Sequence, residues 1–288
     1  MKYTFLLPAY KSRFLQKALL SIQAQTYKDF AVIISDDCSP EPLMNIVQPF
    51  LKDSRFSYRR NDSNIGAVHL ADHWNLLLSM CHSPFLIIAG DDDLYEPDFL
   101  SEIDQLAARH PGIHLLRSQM DQINPKGTVI RSEPPFVEFE NQADFAHSLF
   151  EVTHIHGIGQ YVFNTEALRA KGGFKFLPLA WFSDDATAIM CSDMGVAHSS
   201  KVLFHLRISD ISITGSIGHP HFDQLKARSV VLFYKWFRRM RFDRRPCRDY
   251  CCHMLWGLWG NVPRIQQLSA ILTFPVLAGM ILKERLTN

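Results

Sequence analysis

The feature that most constrains the fold is a repeated unit. A short, unbroken apolar run stops at a polar or acidic cluster, and a stretch of helical periodicity follows. Residues 3–7 (Tyr-Thr-Phe-Leu-Leu) stop at Pro8-Ala9-Tyr10, Ala31-Val32-Ile33-Ile34 stops at Asp36-Asp37, and Phe85-Leu86-Ile87-Ile88-Ala89 runs into Asp91-Asp92-Asp93. Such runs read as strands buried on both faces. Between them, Phe14 to Gln25, Leu43 to Leu51 and His69 to Met80 read as helices; in the first, Leu15, Ala18, Leu19 and Ile22 share one face. Phe56-Ser57-Tyr58 adds a further strand. Strands alternating with helices predict an α/β fold with a mainly parallel central sheet and helices on both faces. Ligands of such sheets bind beyond the carboxyl ends of the strands, where all three polar clusters fall.

Composition sets outer limits. A chain of 288 residues, 47% hydrophobic, buries a sizeable core, and 20% charged with 12% aromatic residues excludes global disorder. The net charge of +1 supplies no general attraction to nucleic acid. Six cysteines occur with no C-x-x-C pair, and His253 beside Cys251-Cys252 lacks zinc-ligand spacing, so a reducing cytoplasm is the expected compartment. The N-terminal apolar run is too short for a signal-peptide core. Leu268 to Leu282, interrupted by Pro275 and Gly279, falls short of the roughly 20 residues a membrane-spanning helix needs. Neither G-x-G-x-x-G nor G-x-x-x-x-G-K-[ST] is present, which removes the common phosphate cradles.

Beyond residue 110 the pattern loosens. Asn124-Pro125-Lys126-Gly127 reads as a turn between two strands, Pro134-Pro135 as a loop, and Asp144 to Phe150 as the start of a helix. From His221 the chain turns helical and basic. The expected organisation is a catalytic domain over 1–215 and a helical extension over 216–288. Lys235, Arg238, Arg239, Arg241, Arg244, Arg245 and Arg248 stand beside Trp236 and Phe237. Bases beside Trp and Phe suit a peripheral contact with an anionic membrane, here its inner face, and no nucleic-acid motif accompanies them. A solvated helix face packed on the domain is the plainer reading.

Three adjacent carboxylates, Asp91, Asp92 and Asp93, repel one another. A divalent cation relieves that repulsion, and oxygen ligands suit Mg²⁺ or Mn²⁺, which in turn neutralises a diphosphate leaving group. The bland alternative is an acidic turn before the helix at Pro97-Asp98. A carboxylate at Asp36 or Asp37 can accept from a nucleobase imino group or ribose hydroxyls, or simply cap the turn at Ser39-Pro40. His154 and His156 flank Ile155, and on a strand they share one face, where they suit either contact with a phosphate or an acceptor or the role of ordinary hydrogen-bonded histidines. Arg207 suits either a diphosphate or a structural ion pair.

The ordered set of motifs resembles the family-2 glycosyltransferases of the GT-A fold. "FLLPAY" is similar to that family's first strand with its Pro-Thr/Ala-Tyr. "LLSIQAQTYKDFAVIISDDCS" resembles its Gln-Thr-Tyr helix, second strand and Asp-Asp-Gly-Ser turn. Asn64-Ile65-Gly66 follows, and "IIAGDDDLYEP" resembles the metal-binding Asp motif. "KGGFKFLPLAWFSDDATAIMCSDMG" resembles the Gly-Gly-Phe segment followed by an acidic pair heading a helix. The resemblance implies that Pro8, Ala9 and Tyr10 border the nucleobase, Asp36 contacts the base, Asp37 and Asp91 the ribose, and Asp92 holds the metal with Asp93 as second ligand. It also implies that Asp184 or Asp185 is the general base. Three departures stand out. Cys38 replaces the usual Gly, tolerable if that turn keeps φ below zero. Gly90 replaces the first Asp of Asp-x-Asp, and Ser209 stands where the family often carries a His after Arg207.

The implied activity is sugar transfer from a nucleotide-sugar donor to a hydroxyl acceptor, with inversion. The expected acceptor is a glycan or lipid-linked sugar of cell-surface polysaccharide or glycolipid synthesis. Two rivals remain. A nucleotidyltransferase needs a similar sheet and acidic ligands, but "PAYKSRF" lacks its glycine-rich loop. A non-catalytic nucleotide-sugar-binding partner of a glycan assembly has no need for Asp36, Asp92 and Asp184 together.

Overall fold

The structure is a computed structural model that describes residues 1–151, 154–213 and 218–275. The apolar runs become β1 (Tyr3–Ala9), β2 (Phe30–Asp36), β3 (Phe56–Arg60) and β4 (Phe85–Ile88). They lie side by side as β3-β2-β1-β4, all parallel, with Ala9 opposite Asp36 so that their carboxyl ends line up on one edge. The crossovers contain α1 (Leu15–Gln23), α2 (Leu43–Val47) and α3 (Leu70–Met80). The helix expected to reach Leu51 stops earlier. Pro49 lacks the N–H a helix interior needs, and Phe50–Lys52 form only a short 3₁₀ turn.

The sheet continues through β5 (Leu94–Tyr95), α4 (Phe99–Arg109), β6 (Leu115–Ile123), β7 (Val129–Ser132), β8 (Phe139–Glu140), α5 (Gln142–Ser148), β9 (Tyr161–Asn164), α6 (Thr165–Ala170), α7 (Ser183–Cys191) and β10 (Val196–Arg207). The full order is β3-β2-β1-β4-β9-β6-β10-β5. In this half only β6 and β10 are parallel. β9 runs antiparallel to both β4 and β6, so the parallel half of the sheet grades into a mixed one. The predicted turn at Asn124 to Gly127 joins β6 to β7. Asn124 Oδ1 accepts from the Lys126 and Thr128 N–H groups, and Gly127 takes the φ of +90° the hairpin requires.

Alternation along β1 splits the core into two layers. Phe5 and Leu7 pack with α1 and α4, while Leu6 faces α3 and α7. The C-terminal helices α8 (Pro220–Phe237), α9 (Arg245–Leu258) and α10 (Arg264–Thr273) follow. Phe233, Phe237, Cys251 and Leu255 join the same buried cluster as Leu6, Trp74 and Ile189. The extension is thus packed on the sheet. Its other face carries Lys235, Arg238, Arg239, Arg241, Arg244 and Arg245 exposed, with Arg248 half-buried. The expected boundary near 215 lies outside the described residues, as does the part of Leu268 to Leu282 beyond Pro275. Among the described residues no helix is long and apolar enough to cross a membrane.

Candidate active site

A cleft of about 710 Å³ opens at the carboxyl ends of the parallel strands. Pro8, Ala9 and Tyr10 line it from the end of β1, with Asp37 after β2 and Gly90, Asp91 and Asp92 after β4. The two carboxylates of the β2 turn divide their work. Asp36 is fully buried and lies outside the lining: Oδ2 accepts from the Tyr58 hydroxyl and the Arg60 guanidinium at 2.6 Å each, and Oδ1 accepts from Ser39 N–H at 2.7 Å. Asp37 lines the cleft and holds its rim. Oδ1 accepts from Ile65 N–H and Oδ2 from Gly66 N–H, both at 2.9 Å. Gly66 has φ +80°, which suits a residue without Cβ in the Asn64-Ile65-Gly66 rim. Cys38 takes φ +53°, not the negative value expected for a non-glycine residue there, so this turn carries left-handed strain.

The carboxylate triplet is not three equal ligands. Asp91 Oδ2 accepts from the Tyr10 and Lys11 N–H groups at 2.9 and 2.8 Å. The Lys11 ammonium lies 3.3 Å from Asp91 Oδ1 and 3.3 Å from Asp92 Oδ2. Burial alone would lower the Lys11 pKa, but these two carboxylates outweigh it and raise it. Asp93 turns inward, out of the cleft lining, and accepts from the Arg207 N–H at 2.9 Å. Burial and then the neighbouring Asp92 push its pKa well above the carboxylate range. Its carboxylate occupies the space where a Cβ on residue 90 would project, which accounts for Gly90 in place of the family's Asp. Burial and then Asp91 raise Asp92 as well. Its Oδ1 makes no hydrogen bond to the described residues, so Asp92 is the carboxylate best able to meet a cation. Among the described residues no group of three or more His, Cys, Asp or Glu is arranged around a metal position. This donor set fits a cation held chiefly by phosphate oxygens and water, as Mg²⁺ usually is.

Arg207 is spent on structure. Its guanidinium donates to the carbonyls of Asp92, Asn124 and Pro125 and lies 4.5 Å from the Phe14 ring centre. Ser209 forms a turn with Ser212, whose hydroxyl donates to the Ser209 carbonyl. Lys11 and Asn75 were missed from sequence. Asn75 in α3 clasps Phe174 through both its N–H and its carbonyl, and thereby fixes the Gly-Gly-Phe segment. The only signal for Lys11 was a base one residue after the expected nucleobase contact.

A second cavity, about 300 Å³, adjoins the cleft and shares Leu70, Trp74, Ile158, Leu206 and Ile213 with it. Asp184, Asp185, His154 and His156 line it. The two histidines lie on an irregular segment rather than the expected strand, yet both reach this cavity. Asp184 is half-buried, and burial, partly offset by backbone N–H groups, pushes its pKa up to about 6. Asp185 is buried, and burial followed by the charge of Asp184 raises it well above the usual range. His156 Nδ1 lies 3.6 Å from Asp185 Oδ1, too far for a hydrogen bond, and burial followed by Arg117 lowers the imidazole to about 3. Burial thus disfavours the charged forms of both His156 and Asp185, and Asp184 is the carboxylate of the pair that titrates near pH 6.

The acidic pair is presented by a strained turn. Leu179, Ala180 and Phe182 have φ of +61°, +51° and +68°, a conformation costing about 1–3 kcal/mol per non-glycine residue. α8 holds it down. The Ser229 hydroxyl donates to the Pro178 carbonyl at 2.8 Å, Phe233 stacks on Phe182 with centroids 4.6 Å apart, and Lys226 Nζ lies 4.8 Å from the Trp181 ring centre.

Residues 4–165 match glycosyl transferase family 2. The chain belongs to that family. The match takes in all four parallel strands and continues through β9, and it ends before the acidic pair. Uncharacterized protein y4gI of Sinorhizobium fredii is 24% identical over 206 residues, covering 68% of this chain. The chain spans only about a fifth of that relative, 21% of its length. Two solved structures share the fold. TarS of S. aureus (residues 1–349), in complex with UDP-GlcNAc, aligns with TM-score 0.68 and 14% identity over 91% of this chain and 74% of its own. The mannosyltransferase PcManGT of Pyrobaculum calidifontis, in complex with GDP-Man and Mn²⁺, aligns with TM-score 0.60 and 17% identity over 99% and 80%. Both confirm the GT-A architecture expected from the strand-and-motif order.

Proposed function

We propose that the chain transfers a glycosyl group from a nucleotide sugar to a hydroxyl acceptor with inversion. The observation that carries this reading is the position of Asp184. It is a carboxylate poised near pH 6, in a cavity that shares a wall with a nucleotide-sized cleft. The acceptor oxygen attacks the anomeric carbon as the bond from that carbon to the diphosphate oxygen breaks. The acceptor proton passes to Asp184, and the nucleoside diphosphate leaves. A single displacement inverts the anomeric centre. Asp37 and the Pro8–Tyr10 segment border the nucleoside, and Lys11 stands beside the diphosphate. A Mn²⁺ or Mg²⁺ ion at Asp92, when bound, supplies the charge that stabilises the leaving group. Asp93, buried and bonded to Arg207, supports that loop rather than the metal, and Asp36 supports the turn that presents Asp37. Thermal shift and hydrolysis with a panel of nucleotide sugars plus Mn²⁺ test this reading. No response to any donor refutes it.

We also propose a peripheral membrane contact, on the side where glycan or lipid-linked acceptors are assembled. Its support is the exposed bases of α8 and the α8–α9 turn, together with Ile265, Leu268 and Leu272, which are 78%, 62% and 84% exposed along α10. Exposed apolar side chains beside bases suit an anionic lipid surface.

A further inference from the structure

We propose that Lys11 is a tethered counter-ion that holds the space between Asp91 and Asp92 against a divalent ion until a diphosphate enters the cleft. This rests on the glycosyltransferase reading and adds an order of binding to it.

Adjacent carboxylates withdrawn from water need a positive charge beside them. The side chains of Asp91 and Asp92 are 6% and 12% exposed, and the Lys11 ammonium stands 3.3 Å from Asp91 Oδ1 and 3.3 Å from Asp92 Oδ2. It thus lies between the two groups, in the space a cation neutralising both has to enter. The Lys11 N–H also donates to Asp91 Oδ2 at 2.8 Å, so main chain and side chain of one residue clasp the same carboxylate. That anchor makes the ammonium a local competitor at a far higher effective concentration than a free cation. Arg207, the other base close by, turns its guanidinium to the carbonyls of Asp92, Asn124 and Pro125 instead.

The tether is close, but its grip is loose. At 3.3 Å both contacts are longer than the about 2.7–2.9 Å of a strong charge-assisted bond, and the four-carbon stem of a lysine lets the ammonium swing. Charge decides when it swings. Two ionised carboxylates and one ammonium leave a single net negative charge. A divalent ion entering alone reverses that sign and meets the ammonium at close range, where like charges repel. A diphosphate brings roughly two further negative charges, restores the balance and offers the ammonium oxygens of its own. Lys11 can then move onto phosphate and release the carboxylate oxygens it held, and the metal is shared between Asp92 and the phosphates. Metal and nucleotide binding are therefore positively coupled, each raising the affinity for the other by the same factor.

Mn²⁺ titration of the full chain, followed by loss of the free-ion signal in electron paramagnetic resonance, tests this without turnover. Wild type is expected to bind Mn²⁺ weakly alone and more tightly once UDP or GDP is added. Lys11→Met keeps the stem and removes the charge. It is expected to bind Mn²⁺ alone about 10- to 100-fold more tightly than wild type, the worth of one charge-assisted hydrogen bond, and to gain less from nucleotide. Lys11→Arg, which keeps a cation on the tether, is expected to stay near wild type. If Lys11→Met melts early because its carboxylates stand unneutralised, Mn²⁺ alone is expected to restore its melting temperature. Mn²⁺ binding by Lys11→Met that is no tighter than wild type, an early melt that Mn²⁺ does not restore, Lys11→Arg titrating like Lys11→Met, or nucleotide affinity that is the same in Mn²⁺ and in EDTA overturns the proposal. Tighter Mn²⁺ binding by Lys11→Met in a chain that takes none of UDP, GDP, ADP or dTDP refutes the donor reading, while the counter-ion role of Lys11 stands.

Discussion

Replacing Asp184 with Asn separates the base from its neighbour in two measurements. Burial lifts the Asp184 pKa from 3.8 to about 6, a rise of about two pH units. At about 1.4 kcal/mol per unit, ionising Asp184 in the folded chain costs about 3 kcal/mol more than in the unfolded chain. The sign follows from the folded value being the higher one. Below the unfolded pKa both states are protonated and no penalty exists. Stability is lost as pH rises through the interval to about 6, and the full penalty persists above it. Asn does not ionise. Asp184→Asn should therefore melt like wild type at acid pH and be more stable by about 3 kcal/mol above pH 6. Turnover should fall about 10²–10⁴-fold, the usual cost of losing a general base. Wild-type turnover should climb as pH rises toward 6 and level off beyond it, and the variant should lose that limb. Burial and the charge of Asp184 both disfavour ionisation of Asp185, so Asp185→Asn should keep near-wild-type turnover and the same limb. Stopped-time transfer assays across the acid range, paired with calorimetric melts, read both effects. An Asp184→Asn chain that turns over normally with the limb intact refutes the assignment. If Asp185→Asn alone abolishes turnover, the two roles are exchanged, and if both variants stay active, His154 and His156 are the next candidates.

Three further outcomes are expected. Asp92→Ala should weaken nucleoside diphosphate binding in Mn²⁺ by calorimetry, and unchanged affinity in the presence of metal removes Asp92 as the cation contact. Phe233→Ala should cost about 3–5 kcal/mol of stability as a buried aromatic is truncated. It should also lower turnover more than donor affinity, because its ring holds Phe182; equal loss of both in denaturant and binding assays contradicts that link. The full chain should float with anionic liposomes and release in high salt, with each base near the surface worth about 1 kcal/mol. Equal flotation with neutral lipid removes the electrostatic part, and retention through an alkaline carbonate wash argues for a spanning segment.

The parallel half was legible because its strands are continuous apolar runs and polar residues cluster directly after them. Asp37, Asp91 and Asp92, singled out that way, line the cleft. What the pattern hid is how neighbouring carboxylates differ. Asp36 and Asp37 are adjacent, yet strand alternation turns one onto Tyr58 and Arg60 and the other onto the cleft rim. Asp93 looks like Asp92 in sequence, and only the missing Cβ of Gly90 signals that it folds inward. β10 was obscured because Ser199, Ser200 and Lys201 interrupt its apolar pattern where its register with β6 shifts. The left-handed residues Leu179, Ala180 and Phe182 left no trace, since positive φ is announced by glycine and none of the three is glycine.

That turn links the C-terminal helices to the chemistry. Three non-glycine residues in the left-handed region within four positions are a local liability of several kcal/mol, so the turn persists only where its surroundings impose it. Three of the contacts that impose it come from α8: the Ser229 hydroxyl on the Pro178 carbonyl, the Phe233 ring on Phe182, the Lys226 ammonium beside Trp181. The same turn ends at Ser183, whose hydroxyl accepts from the Leu177 N–H and whose carbonyl accepts from the Thr187 hydroxyl, at the head of the helix that carries Asp184 and Asp185. Asp184 therefore owes its position to residues more than forty places further along the chain. Any lipid-facing role of the extension is exerted by a body already fastened to the acidic pair. The membrane contact proposed for the extension would therefore bear on the turn that carries the acidic pair, and the Phe233→Ala variant tests that link through turnover.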